Sequence, residues 1–184
     1  MENRSFYNEI LTEHNLRPAN KHEIEGATVT LEGINPSCGD DIILSLKVED
    51  GVIVDGGFTG DGCAISQASA DMMLDLIIGK TEEEARRLGD IFMRMIRGEV
   101  DDSELDELEE SQALRDISHM PARVKCAVLG WHTMDEMLKV SGVAARTSVS
   151  GQDVLTGAHD DVLSKVSGVL SKNSGIDSVT TEDM

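Results

Sequence analysis

Two alternating runs joined by Asp50-Gly51 constrain this chain more than any other stretch. Ile42, Leu44, Leu46 and Val48 alternate with Ser45, Lys47 and Glu49, and Val52 to Phe58 returns after the Asp-Gly pair. Asp-Gly between such runs is a two-residue hairpin signal, because both turn residues must take positive φ. An earlier run, Ala27 to Ile34, sets Val29 and Leu31 against Thr28, Thr30 and Glu32 and reads as another strand. The first half is therefore expected to be a three-stranded antiparallel sheet. If Glu49 faces Val52, counting outward in step brings Cys38 opposite Cys63 at one end of the sheet. In that register Leu44, Leu46 and Val48 face Gly57, Asp55 and Ile53, and a bulge at Gly56-Gly57 is expected to correct the faces.

Helical periodicity surrounds this sheet. Residues 3–16 read as a short helix with Phe6, Ile10 and Leu11 on one side, ended by Arg17-Pro18. After Cys63 the apolar residues Ile65, Ala68, Met72, Met73 and Leu76 recur at helical spacing, and Gly79 supplies the stop. Thr81 and Glu84 form a capping box for a helix carrying Leu88, Ile91, Met95 and Ile96 and ending at Gly98. Pro121 suits the first turn of a last helix, to about Val140, with a stripe of Val124, Ala127, Val128, Trp131, Met134 and Leu138. Between these helices, Glu99 to Glu110 holds eight acidic residues and no basic one. Leu105 and Leu108 are spaced for a short helix there. A solvated acidic face is the ordinary reading of such a run, and a docking surface for a basic partner the alternative.

The chain divides into a domain over 1–141 and a Ser/Gly-rich acidic tail over 142–184. The tail is expected to be mostly disordered, with a short helix near 160–170 where Val162, Leu163, Val166, Val169 and Leu170 are helically spaced. A formal net charge of −19 argues against nucleic acid as a partner, since phosphate contacts need clustered Lys and Arg. No run has transmembrane length and the charged first residues do not resemble a signal peptide, so a cytoplasmic protein without membrane contact is expected. Three cysteines, an odd number, do not make a disulfide framework and read as free thiols, metal ligands or reactive groups.

Each cysteine has its own local logic. Cys38 sits in the turn Asn35-Pro36-Ser37-Cys38-Gly39-Asp40, so a thiol and a carboxylate are presented together. Cys63 begins a helix, where unpaired N–H groups favour a thiolate. Cys126 points roughly 140° away from the apolar stripe of its helix, at about 100° per residue. Arg123, one turn back, is a cation expected to lower its pKa. Three thiolates with Asp40 would make a four-donor set that Zn²⁺ accepts, and soft thiolates also suit iron in a cluster. His119 and His132 are alternative ligands. The competing reading is three unrelated small apolar side chains, as free cysteines often are.

Cys38-Gly39-Asp40, Gly60-Asp61-Gly62-Cys63-Ala64-Ile65-Ser66 with Ala68-Ser69-Ala70, Gly79-Lys80-Thr81 and Arg123-Val124-Lys125-Cys126-Ala127 resemble the U-type (IscU/NifU N-terminal-like) iron–sulfur cluster assembly proteins over about residues 5–141. Lys125 stands where the IscU branch has histidine. Met120-Pro121-Ala122-Arg123-Val124-Lys125 replaces that branch's Leu-Pro-Pro-Val-Lys, and the extra acidic segment is a SufU-type feature, so the resemblance is to SufU. It implies an α+β fold, a three-stranded antiparallel sheet packed by helices, and Zn²⁺ held by Cys38, Asp40, Cys63 and Cys126. It further implies a SufS-type cysteine desulfurase as partner, Cys38 as persulfide acceptor, and downstream iron–sulfur scaffold proteins as recipients. Family members are also regarded as scaffolds carrying a transient iron–sulfur cluster.

Three functions stay open on these residues: a zinc-dependent sulfurtransferase, a scaffold that builds a cluster on the same cysteines, and a structural zinc docking module. A thiol oxidoreductase is disfavoured because no Cys-x-x-Cys pair exists.

Overall fold

The computed structural model describes residues 2–149 and 178–180, with side chains over residues 9–140. The elements run α1 (Glu2–Leu16), β1 (Val29–Asn35), β2 (Asp40–Glu49), β3 (Val52–Asp61), α2 (Ala64–Ile77), α3 (Glu82–Arg97) and α4 (Asp102–Leu105). A 3-10 stretch over Asp106–His119, α5 (Pro121–Val149) and β4 (Ser178–Thr180) complete them. The three antiparallel strands expected from the alternation are present, and β4 adds a short parallel strand beside β1, in the order β3-β2-β1-β4. The short helix expected near 160–170 lies outside the described residues. Among the described residues no helix is long and apolar enough to cross a membrane.

The Asp50-Gly51 turn forms as its sequence demands, with φ of 51° and 77°. The bulge falls elsewhere than expected. Lys47 faces Asp55 while Val48 faces Ile53, so Val54, not Gly56-Gly57, is the extra residue. Parity explains why a bulge is needed: Ile53 and Phe58 are both buried, and an odd spacing puts them on one face only if a residue between them is skipped. Val54 is skipped outward into solvent. Gly57 instead permits a close approach, since a Cβ there would run into the His22 carbonyl.

Ile42, Leu44 and Leu46 of β2 face a single core shared with α2, α3 and α5. The caps of the helices follow their sequence signals. Thr81 and Glu84 make a complete capping box, and Gly98 ends α3 at φ 75°. Leu88, Ile91, Met95 and Ile96 are all buried. Phe92 stacks on Trp131 with ring centroids 4.2 Å apart.

One expectation needs correction and another is extended. The predicted stripe of α5 is buried from Ala127 onward, with Val124 half-buried, but so is a second row, Cys126, Leu129, Thr133 and Met137. Leu129 and Thr133 lie against Gly33 of β1, so α5 is sandwiched between helices and sheet. The acidic run is the solvated face expected, with all its carboxylates exposed except the half-buried Glu104, but it is anchored and paired. Leu105 and Leu108 are buried, and cations from elsewhere meet its carboxylates: Arg97 on Glu99, Arg94 on Glu104, Arg87 on Glu107 and His14 on Glu110.

Candidate metal centre

The β1–β2 hairpin places the Cys38 turn. Asn35 and Asp40 close it as facing residues, and the Asn35 carbonyl accepts N–H groups from Cys38 at 3.2 Å and Gly39 at 2.9 Å. Cys38 at the tip is exposed, whereas Asp40 is fully buried. The β2–β3 hairpin then returns the chain to the same end, with Asp41 facing Asp61 two residues before Cys63. Cys63 is the N-cap of α2, its sulfur accepting the Ser66 N–H at 3.5 Å. Cys126 arrives from the second buried row of α5 and is itself buried.

Asp40 is the hub of this end. Its Oδ1 accepts the Cys63 backbone N–H at 2.7 Å and the Ser66 hydroxyl at 3.0 Å, while its Oδ2 accepts Asn35 Nδ2–H at 2.8 Å. Asn35 Nδ2 also lies 3.3 Å from Cys126 Sγ. Gly62 allows the crowding, since a Cβ there would collide with Ser66 Oγ and stand 3.3 Å from Asp40 Oδ1. Burial alone would raise the Asp40 pKa, but hydrogen bonds from Cys63 N–H, Cys126, Asn35 and Ser66 outweigh it and hold the carboxyl below its ordinary value.

Of the four residues implied as ligands, Cys38 Sγ, an Asp40 oxygen and Cys126 Sγ lie within 4.8 Å of one another. Cys63 is not in that tight group, and joins it through its N–H to Asp40 and its effect on Cys126. Neither His119 nor His132 is in the group: His119 ends the 3-10 stretch, and His132 lines a groove with Arg86 and Asp135. The charge of Arg123 does not set the net direction for Cys126: burial first, then the Cys38 and Asp40 side chains and Cys63, push that thiol far up. The Arg123 guanidinium also lies on Cys38, Nη1 to Sγ 3.7 Å. Its own pKa is raised by the charges of Cys38, Cys63 and Cys126, in that order.

This donor set fits a thiophilic cation. Thiols and a carboxylate crowd together with neutral donors inside the cluster and a single guanidinium at its rim, so ionising the buried Cys126 requires another positive charge. Asn35 and Ser66 had no role assigned from the sequence. Their signals were present: an Asn opening a Pro-containing turn, and a Ser three residues after a helix N-cap.

An antiparallel sheet backed by helices, with a Cys/Asp cluster where two hairpins and two helices meet, is the class of domain defined here. The chain belongs to the NifU-like N-terminal domain family, which matches residues 6–141. The iron–sulfur cluster assembly scaffold protein IscU of Thermotoga maritima is 44% identical over 136 residues, covering 74% of this chain and 94% of the relative. The zinc-dependent sulfurtransferase SufU of Bacillus subtilis is 37% identical over 132 residues, covering 72% and 88%. Among solved structures, a candidate SUF-system scaffold protein from Fervidobacterium islandicum superposes with a TM-score of 0.68 at 36% identity, covering 73% of this chain and 98% of that one.

Proposed function

We propose that this chain serves iron–sulfur cluster assembly as a zinc-bound acceptor of persulfide sulfur from a SufS-type cysteine desulfurase. The observation that carries the reading is Cys38: an exposed thiol on a turn, beside a guanidinium and joined to a buried Asp40–Cys126 pair. Cys38, Asp40, Cys63 and Cys126 would hold the ion. Zinc when bound keeps thiols as thiolates at neutral pH, which arms a nucleophile while restraining it.

The chain's own residues divide the work. Cys38 thiolate attacks the outer sulfur of the desulfurase persulfide. A new S–S bond forms on Cys38, the enzyme's S–S bond breaks, and the electron pair leaves with the enzyme's cysteine thiolate. Arg123 offers positive charge beside the attacking sulfur. Asp40, gripped at both oxygens, would keep its place among the residues holding the ion while Cys38 turns outward to the persulfide.

The second reading is a scaffold on which a cluster is built, favoured by the name of the Thermotoga relative. The two readings separate on purification. A colourless protein with one equivalent of zinc that accelerates desulfurase turnover supports the relay, and visible absorption from a cluster supports the scaffold. Cys38→Ala is expected to keep docking and lose sulfur acceptance. Persulfide found by mass spectrometry on that variant would sink the assignment.

A further inference from the structure

We infer that Asn35 is a positioning residue for the metal centre, its carboxamide fixing Asp40 and Cys126 as a rigid pair so that Cys38 alone is free to leave. The inference rests on the metal reading above. Asn35 is fully buried at the end of β1, facing Asp40 across the hairpin. Its amide nitrogen carries two hydrogens and donates to two proposed ligand atoms, Asp40 Oδ2 at 2.8 Å and Cys126 Sγ at 3.3 Å. One planar group therefore spaces a carboxylate from the hairpin and a thiol from α5, residues 86 positions apart by their own numbers.

The other Asp40 oxygen is engaged from the opposite side. Oδ1 takes the Cys63 N–H and the Ser66 hydroxyl, both from the start of α2. Asn35 holds Oδ2 while the start of α2 holds Oδ1, so the carboxylate is gripped at both oxygens and α2 and Asn35 together prevent its rotation. The same Asn35 also shapes the mobile member: its Oδ1 accepts the Ser37 N–H at 3.3 Å, and its carbonyl holds the Cys38 and Gly39 amides. These are backbone contacts, and they leave the Cys38 side chain free to turn outward.

Outer partners of metal ligands typically contribute about 10- to 100-fold in metal affinity. The test uses the full chain, with zinc affinity from competition against a chromophoric chelator and ligand geometry from the visible spectrum of the cobalt(II)-loaded protein. Asn35→Ser retains an oxygen able to accept the Ser37 N–H, and so keeps the turn, but reaches neither Asp40 nor Cys126. Asn35→Ala removes both functions. The expected result is a loss of about 10- to 100-fold in zinc affinity for both variants, a shifted cobalt d–d band, and an unchanged far-UV circular dichroism spectrum for Asn35→Ser. A folded Asn35→Ser with wild-type zinc affinity and an unshifted cobalt spectrum overturns the positioning role while leaving the metal reading intact. Failure of the wild-type chain to bind zinc or cobalt overturns the metal reading, and this inference with it.

Discussion

Asp40 and Asp71 are both buried carboxylates, both engaged by α2, and they are neutralised in opposite ways. Asp71 lies within α2 and has a cation of its own. His14 Nδ1 sits 2.7 Å from Asp71 Oδ2, its Nε2 is 2.9 Å from Glu110, and Asn20 N–H donates to Asp71 Oδ1 at 2.8 Å. Asp40 has only neutral donors in hydrogen-bond contact, and its other neighbours are thiols that become anions when they react. A buried charge that folds with its counter-ion is architecture; one held by neutral donors beside thiols is presented as a ligand atom. His14, Asp71 and Asp75 also have ligand atoms within 4.8 Å of one another, but the imidazole and the Asn20 amides already meet them. Composition alone would have ranked the two clusters together.

The comparison can be broken at several points. Its largest expected effect is at Asp40: Asp40→Ala should surrender zinc to a chelator more than about 100-fold more readily than wild type, measured by metal release. Retained zinc would mean that the carboxylate is not part of the centre. Next in size is His14→Ala, which leaves Asp71 and Glu110 without their shared cation and should cost roughly 3–5 kcal/mol in urea unfolding. Zinc content should not change. If it falls, the two clusters are coupled and the contrast fails.

The acidity of His14 sharpens the same point. Burial alone would lower its pKa, but hydrogen bonds and charge from Asp71 and Glu110 outweigh that and raise it above the ordinary 6.5. A raised folded-state value means that His14 contributes its full stability below the unfolded value and loses it as pH rises through the folded one. The stability gap between wild type and His14→Ala, measured in zinc-saturated protein, should therefore shrink as pH is raised and be widest in mild acid. The smallest effect belongs to the exposed pairs of the acidic segment. Arg97→Gln, which frees Glu99, should give the least change in unfolding midpoint of the series, and about 1 M salt should abolish it.

What could be read beforehand follows the range of the interactions. The Asp50-Gly51 turn, the Thr81–Glu84 box and the Gly98 stop are settled within a few residues, and they form as the sequence indicates. Convergence of Cys38 and Cys63 was legible because a hairpin turns sequence distance into spatial distance. The second buried row of α5 was not, since Thr133 and Cys126 look like the polar side of a helix until β1 is laid against them. Nor was the pairing of His14 with Asp71, which joins positions 57 apart in sequence. The Glu99–Glu110 run looked unpaired for a similar reason: its arginines belong mainly to α3.

The bulge at Val54 makes the hairpin a ruler with the Cys/Asp cluster at its far end. Every residue of β3 beyond it is offset by one against β2, as far as Asp41 facing Asp61. Deleting Val54 would make the spacing of Ile53 and Phe58 even, so the two would share a face without a bulge and the pairs from Lys47–Asp55 to Asp41–Asp61 would be kept. A residue inserted after Asp55 would instead slide the rest of β3 by about 3.3 Å, turn Phe58 toward solvent and carry the Cys63 amide away from Asp40. Length is therefore under different rules in the two halves of the domain. Between the bulge and Cys63 an added residue resets the site. At residues 99–101, the connection between α3 and α4, an insertion would lengthen a loop and leave the four proposed ligands where they are.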